Sequence, residues 1–367
     1  MARLIPAAGA SSGTRERSFQ RIPDFSSSLV KHEYTAYGLS LRSDIEIPGL
    51  RETHLQLASA QVVLTSKSKP DWARVAAEMP AHLVYSLPAE PECHDPAFLV
   101  REIGGGAFYS LSYGDGTEFL VDGNGERVWG TCPLPLTIKD LAAYFLGPVM
   151  GFLLRRRGVV PLHASAVRLG EIAVAISGEA GAGKSTTAAA LALRGAPAVC
   201  EDIAAIAENQ GQFFVQPGYP RVCLWPDAVE KLLGDKEALP NLTPMWDKRY
   251  LALDGGRATF AERITPLGAV YLLGDRAMDE RAPRIEAISP REGLLELVQN
   301  TYMNALLTKE QRAAEFELLS RLVNRVPCKR LIAHRDASRL GKLCELMEGE
   351  GRAISSERQT ALTGPQK

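Results

Sequence analysis

No apolar run in this sequence is long and unbroken enough to cross a bilayer. The longest, Leu141 to Leu154, is interrupted by Gly147-Pro148 and closed by Arg155, Arg156 and Arg157, so it reads as a core helix whose arginines snorkel to water. An excess of one charge is missing too. Forty-two basic against 43 acidic residues leave a formal net charge of -1, and nothing draws the chain as a whole toward nucleic acid or an anionic membrane surface. Cysteine is sparse: Cys93, Cys132, Cys200, Cys223, Cys328 and Cys344 show no C-x-x-C spacing, which suits reduced thiols in a cytoplasmic protein better than a zinc site or a disulfide framework. His54, His82 and His94 stand alone, as ordinary surface histidines do. Residues 1–30 carry Arg3, Arg15, Arg17 and Arg21 but no continuous apolar core of a secretory signal; they read as a flexible arm, with a transit peptide as the alternative on composition. Neither an Asn-Lys-x-Asp nor a Leu-Ser-Gly-Gly segment occurs, which argues against a GTPase and a transporter-type ATPase. No internal repeat is evident.

What is present is an ordinary globular composition, 46% hydrophobic and 23% charged over 367 residues, enough for a large core and two domains or one elaborated domain. Residues 31–136 read as a small β-rich domain. Gln61–Thr65, Phe98–Ile103, Ala107–Ser112 and Thr117–Val121 are β-rich, and turns fall at Gly38, Pro48-Gly49, Pro70, Gly104–Gly106 and Gly114–Gly116. Thr137 and Asp140, spaced as a capping box, predict a helix that reaches Arg157 with a kink at Pro148.

The stretch Gly178, Glu179, Ala180, Gly181, Ala182, Gly183, Lys184, Ser185 fits G-x-x-x-x-G-K-[ST] at every fixed position. Phosphate oxygens need converging backbone N–H groups, and glycines allow the positive φ and close approach that a Cβ would block. The setting agrees: Glu171–Ser177 reads as a buried strand, and an Ala/Leu-rich helix, with Thr186 in its first turn, runs to Arg194 before Gly195 and Pro197. Lys184 would place a positive charge on the β/γ-phosphates of ATP, and Ser185 would ligate Mg²⁺.

Downstream, a strand from Pro197 ends in Glu201 and Asp202. Acidic residues beside a phosphate loop are where a nucleotide enzyme places a Mg²⁺ ligand and a base, although strand alternation sends the two to opposite faces unless the strand has already ended. His163 stands in a strand-like run ahead of the loop. Phe213–Gln216, Arg221–Trp225, Leu267–Leu273 and Cys328–Ala333 read as further strands. Pro226–Leu233 and two helices capped by Ser289 with Glu292 and by Thr308 with Gln311 complete the α/β pattern. A last helix is expected over Ser338–Met347, with a disordered tail over 349–367.

Between Leu146 and Ile206 the run of His163, Gly178–Ser185-Thr186 and Glu201-Asp202 resembles the HPr kinase/phosphorylase-like serine kinases. Weaker likeness extends to 37–48, Arg221–Asp227, Lys248 and Arg249. The resemblance implies a P-loop nucleotide domain with a mixed β-sheet, akin to phosphoenolpyruvate carboxykinase, over 137–348. It implies His163 near the transferring phosphoryl group, Asp202 as base for a serine hydroxyl, and Glu201 as a metal ligand. Two departures matter. The family pair is Asp-Asp, so the division of base and metal roles stays open here, and an Arg-Pro-Gly-Arg-Asn signature is absent, which points away from HPr as acceptor. Relatives of this kind phosphorylate a serine on a ribosomal peptide such as a lasso precursor.

The expectation is therefore an ATP- and Mg²⁺-dependent serine kinase acting on a peptide or protein, with Arg221, Lys248 or Arg249 balancing charge on the transferring group and a homo-oligomer compatible with the sequence. Two alternatives stand beside it: carboxykinase-like transfer on a small molecule using His163 on the metal, and a non-catalytic ATP-binding module.

Overall fold

The computed structural model of the protein describes residues 31–53, 60–88 and 96–363, the last three by their backbone alone. The expected N-terminal arm, His54 and His94 lie outside the described residues. The chain forms a mixed α/β structure with mixed sheets.

Turn chemistry starts the first sheet. β1 (His32–Ala36) and β2 (Leu39–Ser43) pair through Tyr37 and Gly38, whose φ values of 54° and 76° give the primed turn that matches strand twist. β3 (Val62–Thr65) lies parallel to β2, and α1 (Asp71–Ala77) follows. Then β4 (Ala81–Leu87), β5 (Phe98–Ile103), β6 (Phe108–Tyr113), β7 (Glu118–Asp122) and β8 (Arg127–Thr131) run as an antiparallel meander that brings β8 parallel to β3. The sheet order is β1-β2-β3-β8-β7-β6-β5-β4.

The capping box of Thr137 and Asp140 opens α2 (Ile138–Tyr144) as its spacing predicts. At Pro148 the helix does more than kink. Phe145–Val149 widens to a π turn, which accommodates a residue with no N–H, and α3 (Met150–Arg156) resumes beyond it. Leu141, Phe145, Val149, Met150 and Phe152 join the apolar core of the first sheet, so this helical segment covers that sheet's inner face although the sequence pattern groups it with the phosphate-loop half of the chain.

The arginines that close α3 do not snorkel. Arg155 is 6% exposed and pairs with buried Glu315, while Arg156 donates to Gly123 O and stacks on Tyr109, and Arg157 donates to Gln61 O. Backbone carbonyls and a carboxylate replace the water that the sequence pattern assigned to them.

β9 (Val160–Leu169) starts the second sheet. Its first half pairs with β12 (Ile203–Asn209), and its second half with β10 (Ile172–Ser177) and with β11 (Ala198–Cys200). β13 (Gln212–Val215) joins β12 to β16 (Thr265–Leu273), and β16 runs parallel to β10, so the sheet curls back on itself. β17 (Arg284–Ala287) and β18 (Cys328–Ile332) extend it, β18 parallel to β16. A separate ribbon of β14 (Arg221–Leu224) and β15 (Arg249–Ala252) flanks it, with α5 (Pro226–Leu233) between them.

Strand alternation divides the core into two layers. Ile172, Val174 and Ile176 face α4 (Lys184–Leu193) and the final helix, whereas Ala173 and Ala175 face α6 (Pro290–Gln299) and α7 (Lys309–Val323). Ser289 with Glu292 and Thr308 with Gln311 form capping boxes as expected.

The disordered tail expected over 349–367 is corrected by the structure over 349–363, while 364–367 lie outside the described residues. α8 runs Leu340–Thr363. Its polar composition hides contacts that hold it down: Gly351 packs so closely that a Cβ would sit 2.6 Å from Leu169, Ser355 Oγ accepts from Glu171 N at 3.0 Å, and Glu350 accepts from Tyr271 and Lys329. Among the described residues no helix is long and apolar enough to cross a membrane.

Removing one member of a buried ion pair leaves an uncompensated charge. Glu315→Ala should cost about 3–5 kcal/mol in urea unfolding, and the double change Arg155→Met with Glu315→Leu should recover more than half of it. A loss below about 1 kcal/mol would assign the pair no structural weight.

Candidate active site

The glycine loop lies where β10 ends. Gly178, Gly181 and Gly183 take φ of 150°, 79° and 112°, and at 181 and 183 these values lie squarely in the left-handed region that glycine enters freely. Lys184, 6% exposed, opens α4 and donates from Nζ to Gly178 O and Glu179 O, each at 2.9 Å. Burial lowers its pKa, opposed by Asp202 and Glu201. Glu179 and Ala180 stand exposed at the tip of the loop, and Ala182 N returns to Glu179 O.

Glu201 and Asp202 do not alternate along a strand, because the strand has ended. β11 stops at Cys200 and β12 starts at Ile203. Between them Asp202 takes φ 64°, and Ile203 N donates to Glu201 O at 2.7 Å, a γ-turn of the rare positive-φ kind. Asp tolerates this conformation better than most residues, yet it stores about 1–3 kcal/mol of strain. The turn lets both carboxylates reach one site. Glu201, 3% exposed, accepts the Ser185 hydroxyl at 2.7 Å. Asp202, with 31% of its side chain exposed, has Oδ1 3.3 Å from His163 Nε2 and receives a hydrogen bond from the Tyr302 hydroxyl.

His163 is held in turn. Its backbone N–H donates to Asn300 O at 2.8 Å, its carbonyl accepts from Ser177 Oγ at 3.2 Å, and Tyr302 stands edge-on to its ring with centroids 5.8 Å apart. It pairs with Ile203 in the β9–β12 register, which brings it level with the turn.

The two carboxylates differ in proton affinity. Burial raises the pKa of Glu201, aided by Asp202 and resisted by Lys248 and the Ser185 hydroxyl. Burial acts on Asp202 in the same sense, but the hydrogen bond and charge of His163, with Lys248 and the Tyr302 hydroxyl, outweigh it, and the pKa is lowered. Burial lowers the pKa of Lys248, yet Glu201, Cys223 and Asp202 raise it further than burial takes it down. Cys223 beside them is pushed up to about 12 by burial.

A cavity of about 280 Å³ opens over Glu201 and Asp202. Arg221, Lys248, Lys139, Tyr144, Trp246 and Tyr302 line it, and Pro48 reaches it from the first sheet's region. Arg221 also stacks on Tyr250 at 4.2 Å. The structure therefore gathers His163, Lys184, Ser185, Glu201, Asp202, Arg221 and Lys248 around one loop and one cavity. Arg249 is not among its lining residues: it opens β15, and its guanidinium pairs with Glu237 at 2.5 Å and with Asn241, whereas Lys248, just ahead of the strand, lines the cavity. Thr186 faces a different hollow, on the other side of the loop.

Sequence reasoning missed Tyr302, Lys139, Tyr144 and Trp246. No motif marks them. Tyr302 follows the end of α6 and reaches the site because its backbone bonds to Pro161 O and receives Arg155, and because Gly151 leaves room for its ring, a Cβ there falling 2.4 Å from Tyr302 Cδ1.

The donor set suits Mg²⁺, which takes one or two carboxylates and completes its shell with phosphate and water. Among the described residues no group of three or more His, Cys, Asp or Glu side chains could hold a metal. Ser185 Oγ and Glu201, in contact beside the loop, are the pair that fits such an ion.

No family model matches this chain, and no curated protein matches it. Among solved structures it is similar to the Hpr(Ser) kinase/phosphatase from Coxiella burnetii, with 16% sequence identity, coverage of 56% of this chain and 99% of that chain, and a TM-score of 0.30. A likeness at that level fixes neither fold nor activity, which rest on the geometry above.

Because burial lifts Glu201 above its ordinary 4.5, the folded chain holds that proton more tightly than the unfolded one. Stability from this group falls as pH rises from the ordinary value through the folded-state value, and the penalty is complete above it. Glu201→Gln should melt higher than the native chain near about pH 8, and the gain should shrink toward about pH 5 in calorimetry. A lower melting temperature for Glu201→Gln at the higher pH contradicts the assignment.

Proposed function

We propose that the chain is an ATP-dependent kinase that transfers the γ-phosphoryl group to a serine hydroxyl of a peptide or protein. The observation that carries this reading is the γ-turn at Asp202, which sets one carboxylate against Ser185 at the phosphate loop and the other into the adjoining cavity. Donor and acceptor chemistry then meet across a single peptide unit.

The residues divide the work. The loop N–H groups and Lys184 hold phosphate oxygens, Lys184 exchanging its two carbonyl partners for them. Ser185 and Glu201 would hold Mg²⁺, which would supply charge neutralisation on the phosphates. Asp202, oriented by His163 and Tyr302, accepts the proton of the acceptor hydroxyl as that oxygen bonds to the γ-phosphorus. The bond from the γ-phosphorus to the β,γ-bridging oxygen breaks, and ADP leaves with its electron pair. Lys248 and Arg221, lining the same cavity, balance the negative charge spread over the transferring group.

This geometry favours one division between the carboxylates: Glu201 serves the metal and Asp202 the hydroxyl. The finer acceptor, a serine on a ribosomal precursor of the lasso type, is what the sequence resemblance implies. The cavity also supports a second reading. A volume of about 280 Å³ with three cations on its wall suits a small hydroxy or keto acid, the substrate of a carboxykinase-like transfer.

Lys184→Ala should weaken ATP binding about 10- to 100-fold, the weight of a charge-assisted contact. Asp202→Asn should keep ATP affinity and slow phosphoryl transfer to serine peptides about 10²- to 10⁴-fold by mass spectrometry. Transfer by Asp202→Asn at the native rate removes the base assignment, and turnover with small acids but with no peptide favours the second reading.

A further inference from the structure

A second hollow lies beside the loop. Ala182, Gly183, Thr186 and Thr187 form one wall, and Arg276, His334 and Arg335 form part of the opposite one. Its apolar side is Leu273 and Leu343, 8% and 2% exposed. Topology places it at the carboxyl ends of three parallel strands: β10 runs into the loop, β16 ends at Leu273 and β18 ends at Ile332, just ahead of His334. Crevices at the carboxyl ends of parallel strands are where open α/β sheets take ligands.

The wall is built for an anion joined to a flat ring. Lys231 and Arg276 line it with a single carboxylate, Asp336, which is already engaged by Ser338 N at 2.9 Å and Ser338 Oγ at 2.7 Å, while Arg339 is committed to Glu280 O and Ala282 O. Arg276 Nη2 lies 3.4 Å from Ala182 O and 3.1 Å from where a Cβ would sit on Gly183, so its guanidinium rests on the loop itself. His334 Nδ1 accepts from Asp336 N at 2.9 Å, which fixes the ring and leaves Nε2 to carry the proton in the neutral form.

A triphosphate draped over the loop has two ends, and the transferring end must lie at Glu201 and Asp202. Ser185 faces that side, since its hydroxyl bonds Glu201. The next residue, Thr186, lines the hollow. The nucleoside end therefore leaves the loop on the hollow's side. We propose that this open hollow, about 60 Å³, seats the edge of the base of the donor nucleotide with the ribose at its mouth, Arg276 lying on the phosphates nearest the ribose and the planar groups of His334 and Arg335 flanking the base above Leu273 and Leu343. This placement rests on the kinase reading for the direction of the phosphate chain.

Titration calorimetry with Mg²⁺ and either ATP or inorganic tripolyphosphate tests it on the full chain, because tripolyphosphate offers the loop everything but the nucleoside. The native chain should bind ATP at least about tenfold more tightly than tripolyphosphate. His334→Ala with Arg335→Ala should bring ATP affinity down toward that of tripolyphosphate and leave tripolyphosphate itself unchanged. Arg335→Ala alone, at an exposed position, should move ATP binding in the same direction. Lys184→Ala should weaken both ligands. If the double variant binds ATP as the native chain does, or loses both ligands in proportion, the placement is wrong while the phosphate loop stands. If the native chain binds neither ligand, the nucleotide reading falls and the placement with it.

Discussion

β9 is shared between two halves of the site, and that sharing is the constraint on which the rest depends. Its second half pairs with β10, which delivers the loop, and with β11, which delivers Glu201; its first half pairs with β12 and carries His163 level with Ile203. One rigid strand thus backs the phosphate loop, the carboxylate turn and the histidine. β11 and β12 line up along the same edge of β9 in one register, Cys200 opposite Ala166 and Ile203 opposite His163, so the γ-turn at Asp202 interrupts a pairing that would otherwise run straight on. That interruption makes the site.

The cavity is closed by parts of the chain that share no local pattern. α2 and the π turn are packed in the core of the first sheet, yet Lys139 and Tyr144 reach over the carboxylates of the second. Tyr302 arrives from beyond α6, tied by Arg155, whose charge is in turn held by Glu315 of α7. A change in how the first sheet sits would reach Asp202 through these contacts, since the helical segment is packed on both sides. The acceptor side is therefore built by tertiary packing, while the donor side is built within one strand–loop–helix unit.

That difference explains what could be read from the amino acids. The loop, the strand before it, the helix after it and the capping boxes at Thr137, Ser289 and Thr308 are set by residues within a few positions of one another, and local chemistry speaks in local spacing. Glu201 and Asp202 were legible as a pair but not as a turn, because positive φ leaves no mark in composition when the residue is not glycine. Tyr302, Trp246 and Lys139 were not legible, their roles being created by contacts with residues distant in the chain. The same holds for α8, whose polar run past Met347 looks like a tail until Leu169, Glu171, Tyr271 and Lys329 are seen beneath it. Lys248 and Arg249, adjacent in sequence, part because Glu237 and Asn241 hold the Arg249 guanidinium away from the cavity that Lys248 lines.

The backbone at Asp202 also narrows what can stand there. A φ of 64° is open to glycine, asparagine and aspartate at modest cost, and of these only aspartate accepts a proton. Glutamate, which keeps the charge, adds a methylene and loses the short side chain that eases the left-handed conformation. Charge conservation and conformational conservation thus diverge at this position, whereas Glu201, one residue earlier, has no positive φ to satisfy. Gln210 and Met303, at φ 48° and 54°, show that this chain carries longer side chains at such angles, but the Glu-Asp order here gives the strained position to the shorter acid, the one that eases it.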